Sequence, residues 1–446
     1  MGVSAFYLLY NVFVFLRKGT TGLTAQAYGA QDFVEVRASF VRPFVFAVVL
    51  GLAIATFHEP IMRAIFLWIE PPDEGTRAAA SAYVAARVLG APFALANYAV
   101  QGWLNGMQRS SNVLLQNLIL NVSNAILCVY LALDLGGFGF ALGVVGIGYA
   151  AALANFIAMV AGLANIASCV YGWNGQKRME GHWQWDVLYD ASRLGDFFSL
   201  GSTITIRSLL LTLMQTYFTG MAAGFGSTTL AADQLLLQFQ SLVSSGTDGF
   251  ANAAEALVGE SVGQKDVARL VAVVKRSLIW AAVVAFCFSA TWAFGGPAIL
   301  ALMTDQLAVR RESDAYLFWV VVGPFASVWS YLFDGFFVGA TLAREMMISM
   351  IFATATFVVS VYTFVKVLGL GNNGLWLSFY LWMATRAVAL AIQRRRVVDA
   401  ATPKVLQHGP LLTTVPMYER VFASEQSAFH GVSNGIAPQS KHYGTA

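Results

Sequence analysis

Runs of about twenty consecutive apolar residues, built from Leu, Val, Ala, Phe and Trp and interrupted by charges only at their borders, recur along almost the whole chain. At 1.5 Å per residue such a run, wound as a helix, crosses a hydrocarbon core of roughly 30 Å. Only 11% of the residues are charged and 57% are apolar, against about a quarter charged in a soluble domain. Most of the chain therefore belongs in lipid. A net charge of +3 is too small to suggest a nucleic-acid partner. Cys128, Cys169 and Cys287 lie in apolar stretches without metal-type or disulfide-type spacing, which leaves the redox compartment open. No cleavable signal with a basic leader precedes the first run, so insertion is expected to rely on the spans themselves.

The pattern predicts an all-α membrane protein. Spans are expected near 4–28, 39–58, 78–107, 110–133 and 140–170, and then near 195–222, 229–261, 270–295, 313–342, 346–368 and 373–392. The polar stretch between the two sets makes residues 172–194 an inter-lobe linker. It separates an N-terminal lobe of five spans (1–171) from a C-terminal lobe of six (195–396). Residues 397–446 are mixed and aperiodic and read as a disordered tail. Fourteen Lys and Arg, including Arg42, Arg193, Lys265, Arg276 and Arg394, fall in loops on one side, against Arg63, Arg77, Arg310, Arg311 and Lys366 on the other. The positive side, with the linker, the tail and the C-terminus, is expected to be cytoplasmic. Which membrane is crossed is not legible.

An internal repeat organises these spans. A shift of 234 lays Gly29 on Gly263, Asp32 on Asp266 and Arg42 on Arg276, and a shift of 232 to 233 pairs Pro92-Phe-Ala with Pro324-Phe-Ala and Gly102-x-x-x-Gly106 with Gly335-x-x-x-Gly339. Both copies have the same sidedness, so the halves should be parallel bundles around a central cavity, related by an axis along the membrane normal.

Phe15-Leu-Arg-Lys-Gly-Thr-Thr-Gly-Leu-Thr-Ala-Gln-Ala-Tyr-Gly-Ala30 resembles the second-helix signature of the multidrug and toxic compound extrusion (MATE) family, DinF-like branch. Gly-Trp-Leu-Asn-Gly at 102–106, Leu-Ala-Ala-Asp-Gln at 230–234, the 247–259 segment and Asp-Gly-Phe-Phe-Val-Gly at 334–339 carry the same resemblance, which spans roughly residues 5–396. It implies two six-helix lobes, a V-shaped cavity and export of small organic molecules, drug-like cations or organic acids, driven by protons or sodium. The chain departs from the pattern in two places. No counterpart of the first family helix precedes Phe15, and Cys128 stands where the pattern has an aspartate.

Ionisable groups inside a bilayer cost about 2.5–3.5 kcal/mol each on insertion scales, so they mark interior or water-facing surfaces. Asp248, Asn252 and Glu255 fall at i, i+4 and i+7 and share one helical face. Asp334 resembles the acidic site of the family's C-terminal lobe and is the first candidate for ion coupling. An ionised carboxylate attracts a cation or binds sodium, and protonation releases the guest. Asn117, Asn121, Asn124 and Cys128 form a polar stripe at helical spacing, read as cavity lining. Arg207 is expected either to pair with a carboxylate such as Glu255 or Asp248 or to snorkel. Gly259-Glu-Ser-Val-Gly263 fits a nucleophile-elbow pattern without strand context or a His partner, and no enzyme is expected. The expectation is thus a monomeric antiporter with the bilayer and a small molecule as partners and no cofactor beyond the coupling ion. The competing expectation is a truncated or non-transporting family remnant.

Overall fold

The computed structural model describes residues 12–68, 73–133, 139–172, 185–188 and 190–403, and every regular element among them is helical. In lipid the backbone must satisfy its own hydrogen bonds, which an α-helix does within one segment. The N-terminal half contains α1 (Phe15–Gly29), α2 (Phe33–Thr56), α3 (His58–Trp68), α4 (Glu74–Val88), α5 (Ala91–Gly106), α6 (Ser110–Ala132) and α7 (Gly143–Tyr171). After a single turn at Trp185–Leu188, the C-terminal half contains α8 (Ala191–Ala223), α9 (Ser227–Gln264), α10 (Val267–Met303), α11 (Leu307–Gly339), α12 (Ala343–Val361), α13 (Gly371–Ile392) and α14 (Arg394–Ala401).

Eight of the described segments are long and apolar enough to cross a membrane, and the pair α4 and α5, bent by 53°, makes up to nine. The sequence predicts eleven spans. The difference lies in α1, whose expected span begins in residues outside those described, and in α9. With 38 residues α9 is about 57 Å long, but it carries Asp233, Gln240, Asp248, Asn252 and Glu255. A helix that turns this face to other protein rather than to lipid need not be apolar throughout.

The repeat extends to backbone detail. Gln31 and Lys265, 234 positions apart, both adopt φ 57°, and Gln108 and Thr341, 233 apart, adopt 57° and 58°. A left-handed conformation costs a non-glycine residue roughly 1–2 kcal/mol, so its recurrence at one offset reflects a shared turn. After the first pair, Asp32 caps α2 through Glu35 N (3.0 Å) and Asp266 caps α10 through Arg269 N (2.9 Å). Thus α1, α2, α5 and α6 correspond to α9, α10, α11 and α12.

The halves meet where α1 crosses α9. A Cβ on Gly29 would lie 2.1 Å from the Glu260 carbonyl oxygen, and one on Gly263 would lie 2.1 Å from that of Gln26. These contacts exchange under the 234-residue shift, so the crossing has the self-complementarity of a two-fold interface. Gln26 Nε2 adds bonds to Gly339 O (2.9 Å) and Thr341 Oγ1 (3.2 Å), and Gln108 donates to Glu260. Ion pairs Arg42–Glu35, Arg269–Glu260 and Arg396–Glu345 ring the same end.

Two boundaries differ from the sequence reading. The first turn of α8 starts at Ala191, inside the expected linker, because Asp190 caps it through Ser192 N. Residues 397–401, expected in the tail, complete α14: Val397 and Ala401 are buried, and Lys265 Nζ donates to Ala400 O at 2.8 Å. The rest of the linker at 173–184 and the tail from 404 onward lie outside the described residues.

Candidate functional site

Asp334, on the inner face of α11, is 4% exposed and has two guanidinium partners. Arg207 of α8 and Arg386 of α13 both donate to its Oδ2, the latter at 2.7 Å. Arg386 is itself 1% exposed, with its Cζ 4.8 Å from the Trp382 ring centroid and 6.0 Å from that of Tyr331. Buried charges persist when they are paired and bonded. The triad is such an arrangement, and it carries a net positive charge. Of the two expectations for Arg207, the structure has it paired with a carboxylate, and that carboxylate is Asp334.

The other carboxylates of this face lie on α9. Glu255 is buried, and its Oε1 has no hydrogen-bond partner. Arg17, Lys18 and Thr21 of α1 face it from the opposite half. Farther from the crossing, Asn252 is half-buried and Asp248 exposed. Asp248 still acts electrostatically on Lys18, Arg207 and Glu255, so it fronts the same space. The repeat explains the geometry, since a shift of 234 carries Lys18 to Asn252 and Thr21 to Glu255. Equivalent faces of α1 and α9 confront one another, one basic and one acidic.

The polar stripe of α6 is not brought into this cluster. Asn117 accepts from Gln101 Nε2 of α5 (3.0 Å) and the Cys128 thiol bonds Asn124 Oδ1 (3.0 Å). Asn121 is exposed. Among the described residues, none of the four bonds to the C-terminal half. Cys128 acts as a weak local donor along its own helix.

Sequence reasoning missed three basic groups. Arg386 was readable as a lone charge inside an apolar run, while Arg17 and Lys18 were quoted only within a motif. It also passed over Asp233 as a site, although it stands in the Leu-Ala-Ala-Asp-Gln motif.

Two matched helical bundles of long apolar helices, with charged groups on the helices that face one another, define a multi-pass membrane protein. The MatE family profile matches residues 1–130 and 204–363, and the chain belongs to that family. It is 33% identical to the DNA damage-inducible protein F of Escherichia coli (strain K12) over 89% of this chain and 83% of that protein. It is 26% identical to the probable multidrug resistance protein NorM of Rhizobium meliloti (strain 1021) over 87% of this chain and 83% of that protein. A solved outward-facing multidrug resistance MATE family transporter of the MOP superfamily shares its fold, with a TM-score of 0.79, 19% identity, and coverage of 90% of this chain and 88% of that one. Efflux transport of a small molecule across a bilayer is the activity this membership supports.

Proposed function

We propose that the chain is a secondary antiporter that exports amphoteric organic molecules in exchange for a cation, a proton or sodium, by alternating access between the two bundles. The observation that carries this reading is the confrontation of Arg17 and Lys18 with Asp248 and Glu255 across the seam between the halves. A substrate with an acidic and a basic end satisfies both faces. A simple cation meets the basic residues, and a simple anion meets the carboxylates.

Coupling is assigned to Glu255 rather than to Asp334. Asp334 is already neutralised by two arginines, whereas Glu255 keeps one oxygen without a hydrogen-bond partner. Ionised, Glu255 holds the basic end of the substrate; protonated, it loses that attraction and the substrate leaves. Proton and substrate thus exclude one another, which is what exchange requires. The crossing at Gly29 and Gly263 closes the basic end in this state, and the positive charge around it supports placing that end and the C-terminus in the cytoplasm.

The test is transport in vesicles with an imposed proton or sodium gradient, using one fluorescent amino acid-like compound, its ester and its N-acyl derivative. The amphoteric parent should be accumulated at least tenfold better than either derivative. Equal accumulation of all three would refute the substrate assignment, and no accumulation of any would refute the antiporter reading.

A further inference from the structure

Six carboxylates among the described residues are buried: Glu35, Asp233, Glu255, Glu260, Asp334 and Glu345. Arg42 pairs with Glu35, Arg269 with Glu260, Arg207 and Arg386 with Asp334, and Arg396 with Glu345. Glu255 has Lys18 and Arg17 in electrostatic reach. Asp233 is the exception: it is 0% exposed, and no basic group faces it.

Asp233 sits in the second turn of α9, fifteen residues from Asp248 and therefore about 22 Å along the helix from the cleft cluster. Its Oδ1 accepts from Asn372 Nδ2 (2.9 Å) and Trp376 Nε1 (2.8 Å), both in the first turns of α13. Its Oδ2 has no partner, and neither does Oδ1 of Asn372, which is 4% exposed. Two buried acceptors on one bonded pair thus lack a donor. Leaving a buried acceptor unsatisfied costs about 1–3 kcal/mol, and an uncompensated buried charge costs more.

Among the described residues the surroundings bring no basic donor to Asp233 Oδ2. From α11, Glu312 faces Asp233, but it accepts from Thr229 Oγ1 of α9 (2.8 Å), and the Tyr316 hydroxyl is within hydrogen-bond reach of Asn372, not of Asp233. Arg310 is turned to the carbonyls of Ala301 and Thr304. The Phe218 ring of α8 packs on Trp376, Tyr217 of α8 packs on Phe357, and Tyr380 of α13 abuts Gly323. The second half of α10, Thr291–Met303, contains no titratable residue.

We propose that Asp233 and Asn372 form a proton-binding site inside the C-terminal bundle, separate from the cleft. A proton taken from solvent onto Asp233 Oδ2 removes the bare charge and converts one of the two orphan acceptors into a donor. Uptake leaves a neutral carboxylic acid, and release leaves a carboxylate facing Glu312 across α9, α11 and α13. Proton occupancy is thereby tied to the packing of three helices at the end of the bundle remote from the basic seam.

The site needs no substrate and no gradient, so its test is independent of the antiporter reading. Infrared difference spectra of the full-length protein in lipid between acidic and alkaline buffer should show a protonated-carboxyl C=O band. That band should be lost in Asp233→Asn and shifted in frequency in Asn372→Ala, which keeps the carboxyl and breaks its pairing. A wild-type-minus-Asp233→Asn spectrum without such a band would overturn the proposal. So would a carboxylate signal at Asp233 that responds to sodium at fixed pH, which would make the site a sodium site. Should Asp233→Asn fail to fold, Asn372→Ala decides alone, and an unshifted band there overturns the assignment.

Discussion

Asp334→Asn is expected to lower the unfolding free energy by about 3–5 kcal/mol, the cost of breaking a buried ion pair by removing one partner. The charge removed is the one that lets Arg207 and Arg386 share a dry site, and the amide left behind cannot neutralise either guanidinium. Denaturant or thermal unfolding in detergent measures the loss. The double variant Asp334→Asn with Arg386→Gln should recover part of it, because the two changes act on one contact and are not additive. Glu255→Gln is the contrast. It removes a carboxylate that has no direct ion pair but faces Lys18 and Arg17 through space, so the loss of stability should be smaller than for Asp334→Asn. Equal stability of Asp334→Asn and wild type would show that Asp334 is a free titrating group and would return the coupling role to it.

Gly29→Val and Gly263→Val should drive the halves apart at the basic end. Each introduces a Cβ 2.1 Å from a backbone carbonyl oxygen of the opposing helix, and backbone cannot step aside as a side chain tip does. Overpacking of this kind costs roughly 1–3 kcal/mol in the state that contains the crossing. A state with α1 and α9 separated escapes that cost, and each 1.4 kcal/mol shifts the population about tenfold towards it. Paired spin labels on the exposed Gln108 and Gln264, on either side of the seam, read the change as a longer distance. The two-fold relation adds a check, since the two single variants should act alike. An unchanged distance distribution in both would mean that the crossing does not govern access.

Much of this fold was legible in the sequence because lipid imposes long apolar helices and duplication leaves glycines, prolines and caps at a constant offset. Gly29 and Gly263 were found as matching letters, and their function as reciprocal contact points emerged only from the crossing. The helices that line the seam were the hardest to place. Facing protein rather than lipid, α9 carries more polar side chains than a span that lies in hydrocarbon, and hydropathy undercounts it. Asp334 and Glu255 stood out as charges within spans, but which of them was paired depended on Arg386, which lies 52 residues from Asp334 and in a different helix. The polar stripe of α6 shows the converse, since helical spacing placed four residues on one face without revealing that Gln101 and Asn124 satisfy two of them locally. Asp233 was invisible as a site for a related reason: its significance is the lack of a basic neighbour, and only packing shows that.

The most direct measurement compares wild type and Glu255→Gln in sealed proteoliposomes, with and without an imposed ion gradient. Wild type should accumulate an amphoteric fluorophore against its concentration gradient. Glu255→Gln, which mimics the protonated form, should lose that accumulation by a factor of ten or more and no longer respond to the imposed gradient. Gradient-driven accumulation that survives Glu255→Gln intact would contradict the account.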